Sequence, residues 1–339
     1  MVKENKRQNK KSINNSDILF IYDAKLCNPN GDPDDENKPR MDYNTHRNLV
    51  SDVRLKRYIR DYLQDEGNEI FVAKVNDVTV DATNRLKKLF EQYKEDNKKV
   101  PVDINKLEDK QIDWLLERLI DVRMFGATMP IKAKEGARRG SSNTFTGPIQ
   151  FNWGYSLNKV DIVESSTITS IFAGRGGEYS TMGKDWRVYY SLIAFHGIIS
   201  GKRAEKTNLS GDDVNLLDDA LLKAIPLQAT TRSKIGQAPR LLLRVEYKDD
   251  TTFLGDLRRY VKVKSEENLR DISELKLEVS PLVDLITSNQ NKINNLYIWQ
   301  HEDLRTKEEK TIKDLFKEKG FSENKIVNLP HPENIADTD

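Results

Sequence analysis

Two kinds of side chain in this 339-residue chain have the types and spacing for chemistry, and both gather around one loop. Asp32, Asp34, Asp35, Glu36 and Asp42 crowd a single stretch, which is the carboxylate density a two-metal phosphoryl-transfer site needs. Such sites draw their ligands from separate elements, however, and these residues share one run of turn formers in which Asp serves the backbone. A solvated turn is the plainer reading. The cations come next. Arg47, Arg54, Lys56, Arg57 and Arg60 follow the loop, with Lys38-Pro39-Arg40 leading into them. On a helix, Arg57 and Arg60 share adjoining surface and Lys56 stands one turn from Arg60, with Asp52 and Asp61 the neighbouring carboxylates. The cluster is therefore a solvated helix face or a place to hold phosphate.

Other candidates are weaker. His46, His196, His301 and His331 share no metal-ligand spacing. His196 lies in an apolar run and reads as a hydrogen-bonded core residue, while His46 is placed to cap a helix or touch a phosphate. The one cysteine, Cys27, permits neither a disulfide nor a cysteine zinc site within the chain, and a packing role suits it. Three further stretches combine positive charge with flexibility. They are KAKEGARRG with Lys132, Lys134, Arg138 and Arg139, preceded by Arg123; the glycine-rich run around Arg175; and TTRSK with Arg232. No glycine-rich run is followed by the Lys-Ser or Lys-Thr of a nucleotide-binding loop. Met182 and Trp186 are large enough to wedge between bases, as single-strand binders do, although Trp186 fits equally well as packing at the base of a hairpin.

The elements that must position these residues are legible from periodicity. Ile18 to Leu26 (ILFIYDAKL) is a β-rich run. Asn28-Pro29, Asn30-Gly31 and Asp32-Pro33 then forbid regular structure. The apolar stripe Leu49, Val53, Leu55, Tyr58, Ile59, Tyr62 predicts a helix. A strand over Glu69 to Val80 and helices over Thr83 to Tyr93 and Leu107 to Val122 follow, the last stopped by Gly126. Strands are expected at Thr144 to Leu157, Arg187 to Ile199 and Arg240 to Tyr247, a protruding hairpin over Lys159 to Trp186, a helix from Gly211 to Ala224, and an added strand at Leu257 to Lys264. Stripped of insertions this is β-α-β-β-α-β, an α+β, ferredoxin-like order also used by RNA-recognition (RRM) domains. The expected organisation is a flexible basic arm over 1–15, a body over 16–250 with a helical insertion at 66–143 and a hairpin at 159–187, and an extension over 251–339 that packs on the body and ends unpacked.

Composition bounds the partners. Lys and Arg total 55 against 54 Asp and Glu, a net charge of +1, so binding to nucleic acid must come from local patches and not from a global field. The basic arm lacks the apolar core of a signal peptide, and no apolar run is long enough to span a bilayer. A cytoplasmic location without membrane contact is expected.

The words NPNGDP at Asn28, PRMD at Pro39, LVSDVRLKRYIR at Leu49, DVRMFG at Asp121, FTGPIQF at Phe145 and TMG at Thr181 occur in a fixed order. Together they resemble the CRISPR-associated backbone subunit of Cascade-type surveillance complexes, most similar to the type I-B form and next to the type I-C form, over roughly Ile18 to Tyr247. The resemblance implies a modified RRM palm with helical fingers and a hairpin thumb, polymerising head to tail along CRISPR RNA as an open filament. It implies that Lys56, Arg57 and Arg60 hold the RNA backbone, that Asn28, Asn30 and Arg40 face the RNA, and that Arg175, Met182 and Lys184 sit near it on the thumb. Arg54, Arg123, Lys132, Lys134, Arg138, Arg139 and Arg232 complete the expected contacts on grounds of charge. Implied partners are target DNA paired to the guide, further copies of the chain, the handle-binding, large and small Cascade subunits of a prokaryotic antiviral complex, and a recruited helicase-nuclease. No cofactor, metal or catalysis is expected. The alternative is a metal-dependent endoribonuclease of the same broad fold working through Asp32, Asp34 or Asp35, and a weaker one is a general single-strand-binding protein.

Overall fold

The computed structural model describes residues 12–73, 81–96, 107–131, 141–164, 167–173, 180–264 and 267–331. The chain is a mixed α+β protein that divides into two compact units, Met1–Asn14 with Arg60–Gln150 and Ile199–Leu216, and Asn15–Ile59 with Phe151–Ile198 and Leu217–Asp339.

The larger unit is built on a sheet in which Ile326–Asn328, Ile293–Gln300, Gln237–Tyr247, Ser16–Cys27, Val188–Ile199, Gly154–Ser156, Arg47–Val50 and Met41–Asp42 are successive neighbours. Ser16–Cys27 is central, and Ile18, Leu19, Phe20 and Ile21 have no exposed surface. Burial on both faces explains why its sequence is a continuous apolar run and not an alternation. Gln237–Tyr247 pairs antiparallel with it, and Ile293–Gln300 pairs antiparallel with Gln237–Tyr247. The C-terminal region thus extends the sheet, and its Leu277, Leu282, Ile286 and Phe316 join the core that contains Leu19, Ile21, Leu241 and Leu243. Lys262–Lys264 pairs antiparallel with Lys276–Glu278, so the strand expected over Leu257 to Lys264 forms in its second half, and Leu257–Tyr260 is a 3₁₀ helix. Thr167–Ala173 and Ser180–Lys184 form the expected antiparallel hairpin.

Asp17, buried inside this unit, is paired. Asp17 Oδ2 accepts from the Tyr247 hydroxyl at 2.5 Å and from the Leu254 amide at 2.7 Å, while His196 Nε2 lies 3.3 Å from Oδ1. Burial pushes the Asp17 carboxyl up and the His196 imidazole down, the usual penalty on a charge removed from water. His196 is therefore a core residue, as its apolar run predicts.

In the smaller unit, Ala82–Asp96, Asp109–Arg118 and Ile120–Phe125 are helices, and Gly126–Ile131 pairs antiparallel with Ser141–Thr146. Leu86, Leu89, Phe90, Leu115, Leu116, Leu119 and Val122 share its core. The helix expected from Leu107 to Val122 is broken at Leu119, whose φ of −94° and ψ of 91° are extended. A bridge from Glu69 to Leu119 claims that backbone. Of the strand expected over Glu69 to Val80, the described part contributes this bridge, and residues 74–80 lie outside the described residues. Buried Asp121 ties the unit together by accepting from the Phe71 amide at 2.8 Å, the Val72 amide at 3.1 Å and Arg60 Nε at 3.0 Å.

Gly126 ends its helix at φ 74°, and a Cβ there would lie 2.1 Å from the Phe145 carbonyl oxygen. Gly126→Ala is expected to cost about 1–3 kcal/mol from the backbone conformation and more from the clash, read as a lowered melting temperature in circular dichroism.

Candidate nucleic-acid interface

The loop after the central strand is held by its own turn residues. Asn28 is buried, its Nδ2 donates to the Asn37 carbonyl at 2.7 Å, and its carbonyl accepts from Lys234 Nζ at 2.6 Å. Asn30 Oδ1 accepts from both the amide and the hydroxyl of Ser51 at 2.9 Å, which fixes the chain one residue before the helix Asp52–Asp65. Arg47–Val50 is consequently a strand and the helix starts later than its apolar stripe suggests. His46, at φ 55°, precedes a strand and caps no helix.

Four of the five carboxylates of this loop are committed to neighbours. Asp32 pairs with Arg40 at 3.0 Å, Asp35 with Lys38 at 2.9 Å and Glu36 with Lys184 at 3.8 Å. Asp42 accepts from the Thr45 hydroxyl at 2.7 Å and the Asn44 amide at 3.0 Å, and these bonds hold its carboxyl below the usual range. Among the described residues no group of three or more His, Cys, Asp or Glu is arranged to hold a metal ion. The turn reading of these residues stands.

The cations of the larger unit meet around the loop and the foot of the hairpin. Lys38 Nζ and Lys184 Nζ lie 5.0 and 5.5 Å from the Trp186 ring centre, and the Arg40 guanidinium lies 5.7 Å from that of Trp153. Trp153 is 47% exposed and borders, with Arg40, Tyr43, Leu49 and Asp32, a cleft of about 150 Å³. Asp185 bridges Arg187 at 2.8 Å and Arg232 at 2.7 Å. Burial raises its carboxyl, but the two guanidiniums more than offset this and hold it below the usual range. Arg187 Nη1 also donates to the Leu26 carbonyl at 2.7 Å, which anchors the foot of the hairpin to the end of the central strand. Arg54 lies over the Tyr58 ring at 3.9 Å. The arrangement offers phosphate-binding charge and aromatic faces side by side, the combination that binds single strands.

The sequence-predicted residues fall into three groups. Arg40, Lys184 and Arg232 border the loop and the foot of the hairpin, and Arg54 lies over Tyr58 on the helix that follows. Asn28, Asn30, Lys56, Arg60 and Arg123 make hydrogen bonds or ion pairs within the chain. Lys56 is 8% exposed and pairs with Asp52 at 3.1 Å, one helical turn away. Arg60 serves Asp121, and its side chain is 12% exposed. Arg123 makes a two-pronged pair with Asp213 at 3.0 and 2.8 Å and donates to the Leu116 and Glu117 carbonyls, closing the end of Asp109–Arg118. Arg57 is half-buried on the same helix as Arg54. Lys132, Lys134, Arg138, Arg139 and Arg175 lie outside the described residues, as does the side chain of Met182. Lys38, Arg187, Lys234 and Trp153 also lie about the loop and the foot of the hairpin, Lys38 and Lys234 within basic stretches already noted. Lys234 closes the same TTRSK run as Arg232, and Arg187 follows Trp186 directly, so their positions in sequence were the available signal.

Cys27 sits behind this surface, buried, with burial pushing its thiol up to about 12. A thiol reagent is expected to leave the native protein unlabelled and to react stoichiometrically once the chain is unfolded; rapid native labelling would contradict this packing.

A family-level sequence comparison matches residues 14–280 to CRISPR-associated protein Cas7. The CRISPR-associated protein Cas7 of Haloferax volcanii is 34% identical over 303 residues, which cover 85% of this chain and 87% of that protein. Among solved structures, a chain of a CRISPR RNA-guided surveillance complex in a pre-nicking form superposes over 90% of this chain and 99% of its own, with a TM-score of 0.44 at 13% identity. A chain of another CRISPR RNA-guided surveillance complex covers 85% and 89%, with a TM-score of 0.45 at 11% identity.

Proposed function

The chain belongs to the CRISPR-associated Cas7 family, and from that premise we propose that it is a non-catalytic CRISPR RNA-binding subunit that polymerises along the guide to form the backbone of a type I, I-B-like surveillance complex. The observation that carries this reading is the placing of Arg40, Lys184 and Arg232 with Trp153 and Trp186 around the loop and the foot of the hairpin, with Arg54 over Tyr58 on the helix that follows. Phosphate contacts of this kind hold a strand without reading its sequence. Bases left outward then pair with target DNA, so recognition passes to base pairing.

The strand order supports an RRM-like palm. Gln237–Tyr247, Ser16–Cys27, Val188–Ile199 and Gly154–Ser156 are neighbours, which in chain order is fourth, first, third, second, the arrangement of a split β-α-β-β-α-β fold. The hairpin of Thr167–Ala173 and Ser180–Lys184 is the proposed thumb. Of the three carboxylates the endoribonuclease alternative would use, Asp32 and Asp35 are paired to cations.

The test is co-expression with a CRISPR array and the neighbouring subunit genes, followed by size exclusion and sequencing of bound RNA. A large complex carrying RNA of uniform spacer-derived length is expected, unchanged in RNA length in Asp32→Ala and Asp34→Ala. An RNA-free monomer, or Mg²⁺-dependent degradation of added RNA that Asp32→Ala or Asp34→Ala removes, would place the protein in another class.

A further inference from the structure

Two basic runs far apart in the sequence, Lys262–Lys264 and 305–307, meet on one face of a small sheet in the C-terminal region. Lys262–Lys264 pairs antiparallel with Lys276–Glu278, with Val263 opposite Leu277. On its other side Leu277 bridges Thr306 in parallel register, its amide donating to the Arg305 carbonyl at 2.9 Å and its carbonyl accepting from the Lys307 amide at 2.8 Å. Val263, Leu277 and Thr306 are buried. Successive side chains on a strand point to opposite faces, so Lys262, Lys264, Arg305 and Lys307 all stand on the outer face, and all four are exposed. They make two rows about 10 Å apart, with about 7 Å between neighbours in a row. Among the described residues none of the four has an ion-pair partner. The nearby carboxylates are engaged elsewhere: Glu309 pairs with Lys276, Asp303 with Arg240 at 3.0 Å, and Glu308 accepts from the Ser280 hydroxyl at 2.6 Å. Within these three segments the outer face carries one carboxylate, Glu278, opposite Lys262. Like charge gathered in this way repels itself and attracts an anion from outside.

We propose that this face is a second nucleic-acid contact, which holds the phosphate backbone of double-stranded DNA without reading its sequence. Two observations choose that partner. The face is strongly cationic in a chain whose net charge is only +1, so the attraction it exerts is local and suits a dense polyanion. It also lacks apolar anchors: the large apolar side chains left exposed, Tyr43 and Trp153 among them, all lie outside 257–331. Single strands need such rings to stack their bases, and the core of a protein partner's interface is apolar and aromatic, with lysine depleted. A duplex keeps its bases stacked inside and presents closely spaced phosphates. The face shares no residue with the loop and hairpin foot that hold the guide in the reading above, and the proposal goes beyond that reading.

The test uses the purified full chain with a fluorescently labelled duplex DNA of mixed sequence and, separately, a labelled single-stranded RNA, affinity being read by anisotropy across a salt series. Lys262→Gln with Lys264→Gln is expected to weaken duplex binding about sixtyfold at about 0.1 M salt and to flatten the dependence of log affinity on log salt by about 1.8, the change that two lost phosphate contacts give on a duplex. Arg305→Gln with Lys307→Gln, in the distant run, is expected to do the same. Both variants are expected to bind the RNA as wild type does and to melt near its temperature, because exposed cations outside ion pairs contribute little to the fold. Unchanged duplex affinity in either variant, or an equal loss of RNA affinity, overturns the second contact. Binding of poly-glutamate and not of duplex by wild type, lost in both variants, overturns it in favour of an acidic protein partner.

Discussion

Asp218→Ala should be the most damaging single substitution outside the apolar core, lowering stability by about 3–5 kcal/mol. Arg244 is 2% exposed and Asp218 has no exposed surface, and the two form a forked pair with Nε and Nη2 of the arginine 2.9 and 2.6 Å from the carboxylate. His331 Nε2 lies 3.0 Å from the same carboxylate, and the Arg244 guanidinium stacks on Tyr297 at 3.7 Å. Removing the carboxylate leaves a guanidinium buried in the sheet strand Gln237–Tyr247 with no counter-charge and releases the C-terminal end from the helix Gly211–Gln228. Replacing both partners together, as in Asp218→Leu with Arg244→Met, should cost far less than either alone, because no orphaned charge remains. Burial raises the Asp218 carboxyl, yet Arg244 and His331 more than offset this and hold it below 3.8. The pair therefore contributes fully above pH 3.8 and is lost only as pH falls through the lower folded value. Urea melts of the four variants measure this directly. A cost for Asp218→Ala no greater than that of the double variant would show that the pair is not a buried ion pair.

Arg54→Glu with Lys184→Glu should weaken RNA binding on the order of a hundredfold at physiological salt while leaving the melting temperature near that of wild type. The reasoning is electrostatic. Arg54 has no carboxylate partner among the described residues, and Lys184 is 49% exposed with its nearest carboxylate, Glu36, 3.8 Å away. Neither supports the fold by an internal ion pair of consequence, since exposed pairs contribute little. Loss of two phosphate contacts on a single strand also flattens the dependence of log affinity on log salt by about 1.4. An unchanged salt slope with lowered stability would assign these residues to folding. By the same logic Arg60→Glu and Arg123→Glu should destabilise the protein, because each then places a carboxylate against Asp121 or Asp213.

The central strand, the hairpin and the helices were legible because local pattern and tertiary demand agree there. Ile18 to Ile21 is apolar because both faces are covered, and Gly126 ends a helix because only glycine tolerates that φ beside Phe145. Three features were not legible. The break at Leu119 is imposed by Glu69, a partner distant in sequence, against a stripe that continues through it. The start of the first helix is set by the Asn30 side chain, which reaches across the loop to Ser51. The strand Ile293–Gln300 was hidden in a charged tail although INNLYIWQ carries strand residues, because its value depends on Gln237–Tyr247 offering an edge. The site shows the same division. Clustering of cations is visible in sequence, but which are spent internally is not: Arg60 and Arg123 look like Arg54 until Asp121 and Asp213 are placed beside them. Pairing partners far apart in the chain decide whether an arginine is structure or surface.

The claim that the guide strand runs over the loop and hairpin foot of the larger unit is tested most directly by ultraviolet crosslinking of the RNA-loaded complex, with crosslinked peptides identified by mass spectrometry. Crosslinks are expected on the peptides carrying Tyr43, Trp153 and Trp186, whose rings lie in or beside the cationic surface. Crosslinks confined to the C-terminal residues 270–331, with none on those three peptides, would contradict it.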